Sequence, residues 1–259
     1  MNHGLYISAS GASAAMYRQN VHAGNLSNIE TAGFKPLMPM TRQRDAARVE
    51  DGLWNLSSNA LLERLGGGAQ SAPSRVTFKQ GALQMTAQPF DLAIRGDGFF
   101  VVRVGDGDEG AELRLSRDGR LTRGHNGRLV RAADGLAVLD RAGRPIDLPM
   151  NGSLTIEPDG GVRHDGITIA QINLVDVPDR QALTPEEGGM FKFPAETADN
   201  LRPASGSLIT GALESAAIDE FSVLMEMTGA SRAAQSNMGM IEYHDRMMDG
   251  AVNRLGRVT

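Results

Sequence analysis

Gly96-Asp97-Gly98 begins like a Gly-x-Gly turn, which lets backbone amides approach a phosphate. The sixth position of that pattern is Val101, however, and no strand–helix unit follows, so the chain offers no dinucleotide cradle. The run GDGDEG at 105–110 looks like part of a calcium loop. Counting twelve positions from Asp106 reaches Arg117 in place of the closing Glu, which leaves a solvated hairpin tip. His3, His22, His125, His164 and His244 lack metal-ligand spacing, and His125 reads as a turn residue before Asn126-Gly127. No serine stands in a nucleophile elbow, and without cysteine there is neither disulfide nor thiolate chemistry. The arginines near 114–131 alternate with apolar residues, which reads as a solvated sheet face. These residues compose no catalytic constellation, cofactor site or metal site.

Bulk properties narrow the partners. A net charge of −5 argues against nucleic acid, whose binding needs clustered Lys and Arg. No apolar run approaches the roughly 18–20 residues that span a bilayer. The opening MNHGLYISASGASAAM lacks a basic segment and a dense apolar core, and so makes a poor signal peptide.

The elements fall into three regions. Over roughly residues 3–30, Leu5, Ala9, Ala12, Met16, Gln19, Ala23 and Leu26 recur at spacings of 4 and 3, a narrow, Ala-rich heptad seam. Over 70–205 the pattern changes to short alternating runs between turn signals. Asp-Gly recurs at glycines 98, 107, 119, 135, 160 and 166, and Asn-Gly at 127 and 152. These dipeptides supply the positive φ of tight hairpins and predict an all-β body, barrel-like or sandwich-like. Over 215–257, Leu224, Met227, Ser231, Ala234, Met238, Ile241, Asp245, Met248, Val252 and Leu255 form a second heptad seam. It follows Asp219 as a candidate N-cap and predicts a helix of about 36–40 residues, roughly 55 Å. A helix that long needs a partner helix. Residues between Pro36 and Ala72 read as a connector with a possible short helix, NALLERL, and glycines at 66–68. The expected fold is therefore mainly β. A central β domain, 73–205, lies between N- and C-terminal helices that pack as an antiparallel, coiled-coil-like pair, 1–36 with 206–259, and 37–72 is the connector.

Four stretches, in order along nearly the whole chain, carry a family resemblance. NLSNIETAGFK supplies Asn25, Leu26, Asn28, Thr31, Gly33, Phe34 and Lys35. GALQMTAQPFDLAIRGDGFFVV supplies Gly81, Leu83, Thr86, Asp91, Ala93, Ile94, Gly96, Gly98, Phe99 and Phe100. SRDGRLTRGHNGRLV is a hairpin followed by a Gly-x-Leu-Val strand, and ITGALESAAIDEFSVLMEM supplies Gly211, Leu213, Glu214 and Ser215. Together they resemble the rod and hook proteins of the bacterial flagellar basal body, most of all the proximal-rod branch, with the distal-rod branch close behind. The chain departs from the family at Ser215-Ala216-Ala217-Ile218-Asp219 and at Ser231-Arg232-Ala233-Ala234.

The resemblance implies a structural, non-enzymatic subunit without cofactor, metal or small-molecule substrate. Its implied partners are copies of itself, other rod proteins and the flagellar type III export apparatus, with no nucleic acid and no membrane insertion. The implied location is a periplasmic tube around the export channel, reached without a cleaved signal. The residues expected to carry assembly and packing are Leu5, Ala9, Ala12, Met16, Ala23, Leu26, Asn25, Asn28, Thr31, Gly33 and Phe34 at one end. At the other they are Leu224, Met238, Ile241, Asp245, Met248, Val252 and Leu255. Asp245 is expected to pair with a basic group of a neighbouring chain. Asp91, Gly96, Gly98, Phe99 and Phe100 form the β-body motif. Outside the family, a β-rich binding module for glycan or peptide would account for the middle but leave both seams unused.

Overall fold

The computed structural model describes residues 3–46, 49, 52, 66–105 and 112–255. The helix expected at NALLERL and the tip at 106–110 lie outside the described residues. The fold is mainly β with long helices at both ends, and it divides into two units.

The helical unit comprises Met1–Ser27, Leu37–Arg75 and Asp219–Thr259. Helix α1 (His3–Ser27) is Ala- and Ser-rich and free of proline. A two-stranded ribbon, β1 (Leu37–Gln43) and β2 (Ala69–Val76), occupies the stretch read as a connector. Helix α2 (Glu220–Leu255) has 36 residues, about 54 Å at 1.5 Å per residue. Asp219 stands directly before it. Its carbonyl accepts the Val223 N–H at 3.0 Å and its carboxylate accepts the Ser222 hydroxyl, which fits the capping role expected of it.

The two helices run antiparallel, with Gly4 against His244, Gly11 against Asn237 and His22 against Glu226. The spacing predicted this pairing, but the phase differs. The face of α1 turned to α2 runs through Gly4, Ser8, Gly11, Ala15 and His22, one residue ahead of the predicted seam, while Ala9, Met16 and Ala23 are exposed. On α2 the inward face runs through Val223, Met227, Ala230, Ala234, Asn237, Ile241 and His244. Leu224, Met238, Asp245, Met248 and Val252 point outward. Close approach decides the phase. A Cβ at Gly4 would lie 2.8 Å from His244 Nε2, and one at Gly11 would lie 2.8 Å from Asn237 Oδ1. The glycines let α2 lie against the α1 backbone, whereas the larger apolar residues of the predicted seam would hold it away.

The β unit comprises Asn28–Pro36 and Val76–Ile218. Its strands are β3 (Leu83–Met85), β4 (Leu92–Arg95), β5 (Phe99–Val104), β6 (Glu112–Ser116), β7 (Leu121–Arg123), β8 (Leu129–Arg131) and β9 (Ala137–Val138). They continue with β10 (Leu154–Ile156), β11 (Gly161–His164), β12 (Ile167–Gln171), β13 (Leu174–Asp176), β14 (Thr184–Glu186) and β15 (Met190–Lys192). The last three are β16 (Arg202–Pro203), β17 (Ser207–Thr210) and β18 (Ala212–Glu214).

The largest sheet runs β14-β15-β6-β5-β9-β8-β7, with β13 also on β5 and β16 on β13. It is open from β14 to β7, not closed as a barrel. A separate sheet is ordered β10-β11-β12, and the late strands β17 and β18 pair antiparallel with β4 and β3. The core gathers Leu92, Ile94, Phe100, Val102, Leu129, Val138 and Leu208, among others, at no more than 2% exposure. Strand β5 has core on both faces: Phe100 joins this cluster, and Phe99 joins Phe78 and Phe191 with ring centroids 5.5–5.9 Å apart.

Most of the described Asp-Gly and Asn-Gly pairs do place glycine at positive φ, at 98, 127, 135, 152, 160 and 166. Gly119 is the exception. It is required by proximity instead, since a Cβ there would sit 1.6 Å from the Leu92 carbonyl oxygen.

Of the arginines read as a solvated face, Arg128 is exposed and Arg120 and Arg123 are half-buried, but the other three are buried. Arg114, Arg117 and Arg131 are 7%, 4% and 0% exposed. Each is held by acceptors. Arg114 pairs with Glu112 and Glu186. Arg131 meets Asp134, the Ser116 hydroxyl and the Gly188 carbonyl. Arg114 and Arg117 are three residues apart and so do not share a strand face; other segments of the unit cover each of them.

A candidate assembly site: a buried ionic cluster and the outward helix faces

The motif NLSNIETAGFK ends α1 and starts the β unit. Asn25 is buried and mimics a backbone partner: its Nδ2 donates to the Leu37 carbonyl at 2.8 Å, and its Oδ1 accepts the Leu37 N–H at 2.9 Å. Within the β unit, two overlapping turns follow, closed by Thr31 N–H to Asn28 O at 3.0 Å and Phe34 N–H to Thr31 O at 3.2 Å. The Thr31 hydroxyl also reaches Asn28 Oδ1 at 3.4 Å. Gly33 has φ +67°, the left-handed conformation. Its N–H donates to Glu214 O at 2.7 Å, and a Cβ would fall 2.2 Å from the Arg117 carbonyl oxygen. Phe34 is half-buried and Leu26 likewise.

Two residues further on, Lys35 enters a buried ionic cluster. Its Nζ donates to Glu214 Oε1 at 2.6 Å and to the Lys79 carbonyl at 2.7 Å. The other carboxylate oxygen, Glu214 Oε2, accepts from Arg117 at 3.0 Å, and Glu214 Oε1 also accepts the Gly81 N–H at 2.8 Å. Arg117 donates further to the carbonyls of Gly98 at 2.9 Å and Gly96 at 2.6 Å, and lies 5.4 Å from the centre of the Phe99 ring. The side chains of Lys35, Glu214 and Arg117 are 0%, 1% and 3% exposed. Burial pushes the Lys35 ammonium below its ordinary value, and the adjacent Glu214 carboxylate opposes that shift.

One carboxylate therefore gathers residues from all four motif stretches. Gly96, Gly98 and Phe99 of the β-body motif belong to this arrangement. Phe100 points into the main core, and Asp91 pairs by backbone with Arg120. Sequence reasoning matched Lys35 and Glu214 to motif positions without giving them a role, and placed Arg117 on a wet face. The partners are 179 and 97 residues apart, so no local spacing shows the cluster.

The second candidate region is the outside of the helix pair. Besides Leu224, Met238, Met248 and Val252, the exposed apolar side chains include Phe221, Met225, Met240, Tyr243 and Met247 on α2 and Tyr6 and Met16 on α1. Ile241 and Leu5 are half-buried, Ala12 is buried, and the side chain of Leu255 lies outside the described residues. A surface this rich in exposed Met and aromatic groups is unusual for an isolated chain. Among the described residues, no helix is long and apolar enough to cross a membrane, and no three His, Asp or Glu converge as metal ligands. A groove of about 460 Å³ is lined by Asp176, Arg180 and Arg202, among others. Its Arg180 is already engaged by Asp176 and Asp97 at 2.8 Å each.

Comparison with known proteins gives the same family as the motifs. Residues 5–35 match the model of the flagella basal body rod protein, and residues 93–164 match that of the flagellar hook protein FlgE/F/G D1 domain. The chain is 30% identical to the flagellar basal-body rod protein FlgF of Caulobacter vibrioides, over 100% of both chains. It is 29% identical to FlgF of Salmonella typhimurium, over 98% of both, and 28% identical to the rod protein FlgG of Borreliella burgdorferi, over 99% of this chain and 100% of that one. With its turn motif, buried cluster and terminal helix pair on matched segments, the chain belongs to the flagellar basal-body rod protein family.

Proposed function

We propose that this rod subunit polymerises helically, with copies of itself and with other rod proteins, into the drive shaft of the basal body. In this reading the shaft crosses the periplasm. The terminal helices form its inner layer around the export channel, and the β unit faces outward. The subunit reaches the site through the flagellar type III apparatus without a cleaved signal, and it carries no catalysis, cofactor or small-molecule substrate. Among rod positions, the proximal one fits best, on the length of the chain and its opening MNHGLYISASGASA.

The observation that carries the reading is the outward helix face. Phe221, Met225 and Val252 are 70%, 58% and 67% exposed on a helix whose inner face is already satisfied by α1. Neighbouring helices would cover them. The residues expected to take part are Ala9, Met16 and Ala23 on α1 and Leu224, Met238, Asp245, Met248 and Val252 on α2.

The test is electron microscopy of basal bodies from a strain lacking the gene, with and without a plasmid copy. A missing or truncated rod, restored by the plasmid, is the expected result. Complete rods and hooks without the gene would overturn it.

A further inference from the structure

We propose that Lys35, Arg117 and Glu214 form a closure latch that makes the β unit fold as a whole. The two cations belong to segments that come before the anion they share, and among the described residues that anion, Glu214, is the carboxylate bonded to both. Without the Glu214 carboxylate, Lys35 keeps one carbonyl acceptor and Arg117 keeps two, so two positive charges that are at most 3% exposed in the complete unit would have to be covered without that counter-charge. Asp97, a carboxylate close enough to feel the Arg117 charge, is bound to Arg180. Burying a cation under those conditions is strongly unfavourable. The faces of β5 and the turn at Gly96–Gly98 therefore cannot close over Arg117 ahead of the carboxylate.

Glu214 does not arrive alone. It ends β18, and the same short segment contains β17. These strands are the ladder partners of β3 and β4, and they bring Leu208 into the core. Docking of residues 207–214 thus supplies two strand pairings, core volume and the missing charge in one event. Strand pairing alone would stabilise the final state while allowing β5–β9 to form first. The buried cations remove that option, because they make the earlier, partial structure the costly one. The latch converts a chain with many local hairpins, each able to form early, into a unit whose closure depends on a contact 179 residues long.

The experiment is refolding of the full chain from urea, with amide protection followed by pulsed hydrogen exchange and mass spectrometry. In the unaltered chain, β5–β9 and β17–β18 should gain protection with one time constant. In Lys35→Met/Arg117→Met/Glu214→Leu, apolar groups replace the triad, a change that folded proteins often tolerate. There β5–β9 should become protected roughly tenfold sooner than β17–β18. Protection of β5–β9 ahead of β17–β18 in the unaltered chain overturns the proposal. So does a triple variant in which the two regions still move together. If the triple variant fails to refold, Lys35→Met carries the test, since it removes one cation and leaves Glu214 bound to Arg117 and Gly81. Protection of β5–β9 should then come roughly threefold sooner than in the unaltered chain, and an unchanged rate overturns the latch.

Discussion

The β unit buries Lys35, Arg117, Arg131 and Glu214, while the helical unit leaves Phe221, Met225, Met247 and Val252 in the open. Each unit reverses the usual placement of one residue class, for opposite reasons. Inside the β unit every charge in the cluster meets an acceptor or donor within 3.0 Å, so burial fixes a single arrangement. On the helices, the exposed apolar side chains lie on the parts of α2 turned away from α1, whose contact face is set by Gly4, Ser8, Gly11 and Ala15. The β unit is complete in its chemistry, and the helix pair is half of something larger.

The largest effect should come from breaking the β side of this contrast. Glu214→Gln keeps the shape and leaves two buried cations. It should cost about 3–5 kcal/mol in urea unfolding, and a loss below about 1 kcal/mol would show that the cluster is wetter than it looks. Gly33→Ala should come next, at about 1–3 kcal/mol, because it combines a positive φ with a contact to the Arg117 backbone. A crystal structure with an unmoved turn and unchanged stability would count against it.

Acid should weaken the same unit more gently. The Arg180 hydrogen bond, with its charge, holds the Asp97 carboxyl below its ordinary value near 3.8. For Asp140, burial acts upward but is outweighed by bonds from the Arg144 and Ala142 amides and the Arg144 guanidinium. Both carboxyls bind protons less readily folded than unfolded, so their contribution is present above about pH 4. It should be lost as pH falls through the lower folded values, and only modestly for the pair Asp140–Arg144, whose Arg144 side chain is largely exposed. Thermal melts of Asp140→Asn from pH 6 to pH 3 should show a flatter acid slope than the unaltered chain.

On the helical side, Val252→Ser should change the stability of the dilute chain by less than about 0.5 kcal/mol yet reduce motility and rod completion. A variant with full motility would remove Val252 from the assembly face.

The same contrast marks what could be read from sequence. Helix–β–helix order, strand-bearing hairpins and the turn at Gly33 were legible, because apolar spacing and positive-φ dipeptides are local signals. The phase of the helix pair was not. Both faces of α1 repeat at heptad spacing, and the apolar one looks like the better seam. The polar one wins because Gly4 and Gly11 admit His244 and Asn237. The buried arginines were illegible for a different reason. The carboxylates that neutralise Arg114 and Arg117, Glu186 and Glu214, come from distant stretches, and strand alternation carries no sign of them.

The chain leaves α1 and soon meets Glu214 through Lys35, then returns to the same carboxylate just before α2. Within the β unit, the chain from Gly81, whose N–H meets that carboxylate, to Leu213 is therefore an excursion that begins and ends at one group. Additions or deletions at the tips of that excursion, such as the two-residue hairpin at Asp165-Gly166 between β11 and β12, would change its outline without moving its ends, which makes such tips the natural place to graft a tag or a foreign domain.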